Sequence, residues 1–312
     1  MAVNKVDEDI VVLDCIRVQK REPKAKPFVK WAGGKGQSLN VFARLYPRNF
    51  DTETATYYEP FLGGGAVFFD LQPANAVLAD LNEGLILSYL AVRDSVDELI
   101  SLLEEHEKEH EADEGYYYWV RSLNGEGPDP LTMSTVRKAA RLIYLNKTCY
   151  NGLYRVNSAG QFNVPKGKYK RPAIVQKERL LACSNLLEGV KLKNTDFKKA
   201  VLLGDKPAKE GDFVYFDPPY HPVSETANFT DYTQAGFGEA DQERLADTFR
   251  ELDERGVFVM LSNSDTPFIR RLYSDYSIYR IEASRAINSK ASRRGRIGEL
   301  VITNYKTGDV KG

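Results

Sequence analysis

The chain has 312 residues, 42% hydrophobic and 28% charged, ordinary proportions for a globular protein long enough to bury a full core. A formal net charge of −1 excludes a uniformly basic nucleic-acid binder, so any such role must rest on local charge. No uninterrupted apolar stretch suits a membrane span and no secretory segment opens the chain; three scattered cysteines and three histidines argue against a zinc site and for a reduced, cytoplasmic setting.

Residues 1–27 hold a β-branched run, Ile10-Val11-Val12-Leu13, and a basic stretch ending in prolines, expected to form an edge strand or arm. Phe28 to Lys35 is an apolar lead-in to a glycine turn, followed by a helix to about Leu45. A strand at Ala55–Tyr58, a tight turn at Gly63-Gly64-Gly65 and a helix from Ala66 come next. Ala76–Ala79 predicts a strand ending at Asp80, with Asn82 capping a helix to about Arg93. From 95 to about 188 the alternation gives way to helices near 95–112, 115–124, 134–146 and 176–187. A parallel-sheet pattern resumes at Val190–Leu192, Phe213–Phe216, Val257–Leu261, Tyr276–Ile281 and Leu300–Asn304, with helices near 198–203, 239–254 and 266–274. The prediction is a three-layer α/β domain (28–94 and 189–306) with a largely helical insertion (95–188) between its second and third strands, and a tail at 307–312.

Charge is unevenly placed. From Pro130 to Lys177 there are ten Lys or Arg and no acid, and Arg285 to Arg296 is a second basic stretch. Asp97 to Glu114 carries nine acids against one lysine and is read as the solvated face of a helix, with His106 and His110 one turn apart on it.

Tyr215-Phe216-Asp217-Pro218-Pro219-Tyr220 is the most specific segment. A buried strand ends in a carboxylate, and two prolines force the chain out of the sheet in a rigid turn. One acceptor side chain, one free carbonyl and one ring suit a flat heterocycle with an amino group: Tyr220 stacks while Asp217 and the Pro218 carbonyl accept from the NH₂. A plain strand end with a proline turn is the competing explanation for Asp-Pro-Pro alone.

Glu59-Pro60-Phe61-Leu62-Gly63-Gly64-Gly65 also lies at a strand-to-helix turn. Glycines there admit a ligand close to the backbone, although a triplet alone equally suits a structural turn. Asp80 ends the next strand where a carboxylate can bind a ribose diol. There is no GxGxxG, and Ala32-Gly33-Gly34-Lys35 lacks P-loop spacing, so phosphate binding is not demanded. An electron-rich turn with Glu59 suits a cationic cofactor, such as a sulfonium with an amino-acid tail whose carboxylate could meet Lys35.

Together these segments resemble the Dam-like, alpha-group DNA adenine-N6 methyltransferases, including methylases of GATC restriction-modification systems. The resemblance rests on FVKWAGGK (28–35), YYEPFLGGGAVFF (57–69), ADLNEGLI (79–86), NGLYRVNSAGQFNVPKGKYKRP (151–172), TDF (195–197), YFDPPY (215–220), TANFTDY (226–232), MLSNSD (260–265) and SRRGR (292–296). It implies a methyltransferase fold dependent on S-adenosylmethionine, giving S-adenosylhomocysteine, with no metal. It places Trp31, Lys35, Glu59, Pro60, Phe61, Gly63, Asp80 and Asp217 around the cofactor and Asp196-Phe197 at its adenine. Asp217, Pro218, Pro219 and Tyr220 would receive a flipped target adenine, with Phe229 a candidate for its other face, and transfer would be direct.

Lys30, Asn151, Leu153, Arg155, Pro165 and Lys170 match positions that touch duplex DNA. Tyr154–Val156 and Phe162–Val164 flank Ser158-Ala159-Gly160 and predict a β-hairpin that reads a groove. Recognition of GATC, pairing with a restriction endonuclease and a monomer or weak dimer are compatible with the resemblance. Cytosine-N4 or RNA adenine methylation, and a non-catalytic binding protein on the same scaffold, are the alternatives.

Overall fold

Four consecutive buried residues, Phe213-Val214-Tyr215-Phe216, require a strand covered on both faces. The computed structural model describes residues 11–13, 25–123, 134–223, 236–283 and 297–307. Within them lie strands β1 (Val11–Leu13), β2 (Thr56–Glu59), β3 (Asn75–Asp80), β4 (Lys191–Asn194), β5 (Phe213–Phe216), β6 (Phe258–Ser264), β7 (Ser277–Ala283) and β8 (Ile297–Thr303). The helices are α1 (Leu39–Leu45), α2 (Ala66–Leu71), α3 (Glu83–Asp94), α4 (Val96–Ala112), α5 (Tyr116–Ser122), α6 (Thr135–Thr148), α7 (Lys177–Leu187), α8 (Glu239–Glu254) and α9 (Pro267–Leu272).

The strands form one sheet in the order β1-β7-β8-β6-β5-β2-β3-β4. Alternate residues of its strands enter two separate cores. Tyr57, Leu78, Phe213, Tyr215 and Met260 face one core with α1 to α7, while Tyr58, Val77, Val214, Phe216 and Leu261 face the other with α8 and α9. This is the three-layer α/β arrangement the alternating pattern predicts. Helices α4 to α7 are inserted between β3 and β4, and α3 packs against α6 and α7.

The parallel reading needs one correction. β8 runs antiparallel between β6 and β7, making the sheet mixed. An apolar run such as Leu300-Val301-Ile302 presents the same pattern in either direction, so direction is set by topology and not by composition. Val11–Leu13 pairs in parallel with β7 at the edge, as the edge-strand reading of that run expects.

Strands β2, β3 and β4 step one way across the sheet and β5 and β6 the other, so β2 and β5 are neighbours at a topological switch point. The crevice outside the carboxyl ends of such a strand pair is where open α/β sheets bind ligands. The glycine turn after β2 and the proline turn after β5 both open there. Residues 226–232, including Phe229, and the basic stretch Arg285 to Arg296 lie outside the described residues. No helix among the described residues is long and apolar enough to cross a membrane.

Candidate active site and nucleic-acid interface

At the end of β5, the Asp217 carboxylate meets the Lys35 ammonium at 2.6 Å. Lys35 is 6% exposed, also donates to the Gly33 carbonyl at 2.8 Å, and lies 4.9 Å from the Tyr220 ring centroid. The hydroxyl of Tyr220 donates to Glu299 on β8, whose carboxylate lies 3.9 Å from Lys35. One cation thus serves two acids. Burial raises the Asp217 carboxyl to about 6, against the downward pull of Lys35. Its side chain keeps 19% of its area open, so the group is held but reachable. Pro218 is buried and Pro219 exposed.

The turn after β2 forms the opposite wall. Gly63 has φ 48°, a left-handed conformation that favours glycine, and its N–H donates to Asp80 Oδ2 at 3.0 Å. A Cβ there would stand 2.9 Å from the Trp31 ring, so only glycine lets the indole lie on the turn. The other Asp80 oxygen accepts from the Asn82 N–H at 2.9 Å, and Asn82 caps α3 by accepting from Leu85 N–H. Burial raises Asp80 despite these bonds.

Glu59 is 3% exposed and accepts from the Tyr57 hydroxyl at 2.8 Å and the Phe68 N–H at 3.0 Å. Burial pushes it up to about 8. At pH 7 it is therefore mostly a neutral acid rather than the free charge the sequence suggests, although a cation bound alongside would draw the proton off. Pro60 is buried beside it.

Phe61 and Phe197 stack at 5.4 Å, with Phe237 edge-on to Phe61 at 5.7 Å. Arg244 on α8 grips Asp196 with two hydrogen bonds, 3.0 and 2.9 Å, and places its guanidinium 4.1 Å from the Phe197 ring centroid. Burial works to raise Asp196, but Arg244 and the Lys198 N–H prevail and hold it below its ordinary value.

Among the residues matched to DNA positions, Lys30 is tied to the turn at 151–153 by one buried amide. Asn146, 2% exposed on α6, accepts from the Lys30 N–H at 2.8 Å and donates to the Lys30 carbonyl at 2.7 Å and the Gly152 carbonyl at 3.0 Å. It fixes Lys30 beside the turn that exposes Asn151, which has φ 56°. Leu153 is half-buried; Arg155, Pro165 and Lys170 are exposed. Arg155 donates from Nε to Asn163 Oδ1 at 2.7 Å across the hairpin.

The hairpin is closed by a single Val156–Phe162 bridge rather than by two full strands, because the Asn157 side chain takes over. Its Oδ1 accepts from the N–H groups of Ala159 and Gln161. Trp31 stacks on Tyr154 at 5.1 Å, so one ring touches both the glycine turn and the hairpin base.

The solvated-face reading of α4 holds for its glutamates except the half-buried Glu107, but not for its histidines. His106 stacks on Tyr144 at 4.8 Å and bonds the Tyr116 hydroxyl, His110 bonds the Tyr144 hydroxyl, and both are half-buried. No local pattern along the chain points to Gln242, Arg244 or Asn146 as part of the site. Glu299 carries a visible signal as the one acid in the apolar run Ile297 to Thr303, and Asn263 lies within the MLSNSD segment at 260–265.

The chain as a whole is similar to known proteins. The chain is 47% identical over 290 residues to the type II methyltransferase M1.LlaDCHI of Lactococcus lactis, covering 92% of this chain and 98% of that protein. It is 42% identical to the type II methyltransferase M.MjaIII of Methanocaldococcus jannaschii, covering 90% and 100%. With the DNA adenine methylase of Escherichia coli it shares 34% over 92% and 98%. Residues 31–287 match the profile of the D12 class N6 adenine-specific DNA methyltransferases, and the chain belongs to that family.

Proposed function

We propose that this chain methylates N6 of an adenine flipped out of duplex DNA, within the sequence GATC, as a site-specific adenine-N6 DNA methyltransferase. The observation that carries the proposal is the Asp217-Pro218-Pro219-Tyr220 turn, held by Lys35 and Glu299 at the switch point of the sheet.

S-adenosylmethionine, when bound, supplies an electrophilic methyl group on a sulfonium. The residues present fit it. Gly33 and Gly36 have open space where a Cβ would stand, and Glu59, Asp80 and Asp217 offer acids to its cationic parts. Phe61, Phe197 and Asp196 suit its adenine, Asp80 its ribose, and Trp31 with Lys35 its amino-acid tail.

The flipped base stacks on Tyr220, and Asp217 and the Pro218 carbonyl accept the two N6 hydrogens. The N6 lone pair, otherwise delocalised into the ring, is then directed at the methyl carbon. Asp217 takes the proton that N6 loses once it carries positive charge. Positioning and fixed charge supply the acceleration, with no covalent link to the protein.

Residues 95–188 carry the DNA-reading part of this proposal, with Lys30, Asn151, Leu153, Arg155, Pro165 and Lys170 facing the duplex. That two of its relatives are type II methyltransferases supports a role beside a restriction endonuclease. The protein would act as a monomer or weak dimer in the cytoplasm.

Incubation with unmethylated duplex and S-adenosylmethionine, then nucleoside mass spectrometry, tests the chemistry. N6-methyladenine is expected, and N4-methylcytosine alone would overturn the adenine pocket. Protection of the treated DNA from a methylation-sensitive endonuclease that cuts at GATC tests the site. Cutting at every GATC despite N6-methyladenine would move recognition to another sequence.

Two further outcomes follow from the geometry. Arg155→Ala lowers discrimination between GATC and a one-base variant by about 1–3 kcal/mol, more than it lowers nonspecific affinity. Equal weakening on both duplexes in a binding titration would reduce Arg155 to a phosphate contact.

The second outcome concerns pH. Asp217 must be ionised to accept from N6, and its raised value means that protonation begins earlier as pH falls. The profile of kcat/KM should therefore drop on the acid side with an apparent midpoint near 6. Lys35→Met removes the main opposing influence and moves that limb to higher pH; an unmoved limb would show that another group titrates.

A further inference from the structure

The turn after β5 has little ladder to hold it, since two prolines bring no N–H. Its main chain rests instead on two buried amides. Gln242 on α8, 1% exposed, donates from Nε2 to the Pro219 carbonyl at 2.9 Å. Asn263 on β6, fully buried, donates from Nδ2 to Gln242 Oε1 at 3.0 Å. On its Oδ1 Asn263 accepts from the His221 N–H at 3.0 Å and the Ser264 N–H at 2.9 Å. The Ser264 hydroxyl completes the brace by donating to the His221 carbonyl.

The direction of each bond is dictated. Two backbone N–H groups can only donate, so the oxygen of Asn263 must face them and its NH₂ must face Gln242. The oxygen of Gln242 is then committed to Asn263, and its NH₂ must face Pro219. Among the described residues, no hydrogen bond is made to the Pro218 carbonyl.

We infer that Gln242 and Asn263 are positioning residues for methyl transfer, an amide relay that pins the Pro219 carbonyl and leaves the Pro218 carbonyl and the Tyr220 ring set for the target base. The inference rests on the reading of this turn as the base-receiving site. Neither amide needs to touch the substrate. Gln242 holds one peptide of the turn, Asn263 holds the next through His221, and the Asn263–Gln242 bond makes the two act together. A turn free to rock would lose the alignment of N6 with the methyl carbon, where a displacement of about 1 Å can cost about a hundredfold in rate.

Two variants separate the relay from mere packing. Gln242→Met keeps the volume and removes both of its bonds. Asn263→Asp keeps the acceptor for the two N–H groups but removes the donor to Gln242, so it reaches Pro219 only through the relay. Both are expected to lower kcat about 10- to 100-fold while KM for S-adenosylmethionine stays within about twofold. Both should also speed hydrogen exchange of the Tyr220 amide, which belongs to the peptide whose carbonyl Gln242 holds. Rate and exchange at wild-type values in either variant would overturn the relay.

If Gln242→Met does not fold, Gln242→Asn keeps the amide but shortens its reach. Slow transfer then supports the inference, and wild-type transfer refutes it. Should the unaltered protein methylate no nucleoside, the functional reading fails on that result alone, while the exchange data still decide whether the amides hold the turn.

Discussion

Replacing Asp217 with alanine should cost about 10²- to 10³-fold or more in kcat, the scale expected when one fixed polar group is withdrawn from a developing charge. The loss should fall almost entirely on transfer. On the proposed reading, duplex affinity rests on the cationic residues Lys30, Arg155 and Lys170, none of which alanine at 217 would touch. Lys35 is not orphaned by the change, because the carboxylate of Glu299 already lies 3.9 Å away and its bond to the Gly33 carbonyl persists.

That second anion matters for the control. Removing one partner of a fully buried ion pair costs about 3–5 kcal/mol of stability, but here the charge retains a neighbour and the carboxylate site is partly open. A folded variant is the expected outcome. Asp217→Asn, which keeps the shape and loses the charge, separates the two contributions. Single-turnover transfer and DNA binding by fluorescence anisotropy give the comparison. Equal loss of transfer and DNA affinity in Asp217→Ala would remove it from the chemistry and make it a structural residue of the DNA face.

Much of this site is legible along the chain because its parts are local. Phe213 to Tyr220 states a strand, its end and its acceptor in eight consecutive residues, and the both-faces burial of the strand follows from four apolar residues in a row. Asp80 and Asn82 are similarly explicit, since a strand end and a helix cap are short-range events. What escapes the sequence is whatever depends on a distant partner.

Gln242 reads as one polar residue of an amphipathic helix until α8 brings it under Pro219. Asn263 reads as a polar interruption of a strand, yet it is the centre of the brace. Asn146 has the same character, bonding Lys30 116 positions away. His106 and His110 look solvated among nine acids, but Tyr116 and Tyr144 come from other helices to cover them. The direction of β8 is lost for a related reason: pairing partners, not composition, decide it.

Tyr220→Ala should weaken capture of the flipped base by about 1–3 kcal/mol, or roughly 5- to 150-fold, the range for loss of one aromatic stacking platform. The effect should appear as a smaller flipped population with 2-aminopurine at the target position, and as slower transfer at saturating cofactor. Tyr220→Phe divides the residue into its two functions. It keeps the stacking face and loses the hydroxyl with its bond to Glu299 and its influence on Asp217, so base capture should persist while the ring loses its fixed plane.

Glu299→Gln keeps an acceptor for the tyrosine hydroxyl but removes a negative charge near Lys35. The two substitutions share one contact, so their combined effect should be smaller than the sum of the separate ones. Strict additivity would mean that Glu299 acts on Lys35 and not on the ring. Unchanged 2-aminopurine fluorescence and unchanged turnover in Tyr220→Ala would place the base elsewhere in the crevice. Held between Lys35 on one side and Glu299 on the other, the ring has its orientation fixed before any base arrives. That preorganisation is why its removal should be felt in flipping as well as in turnover.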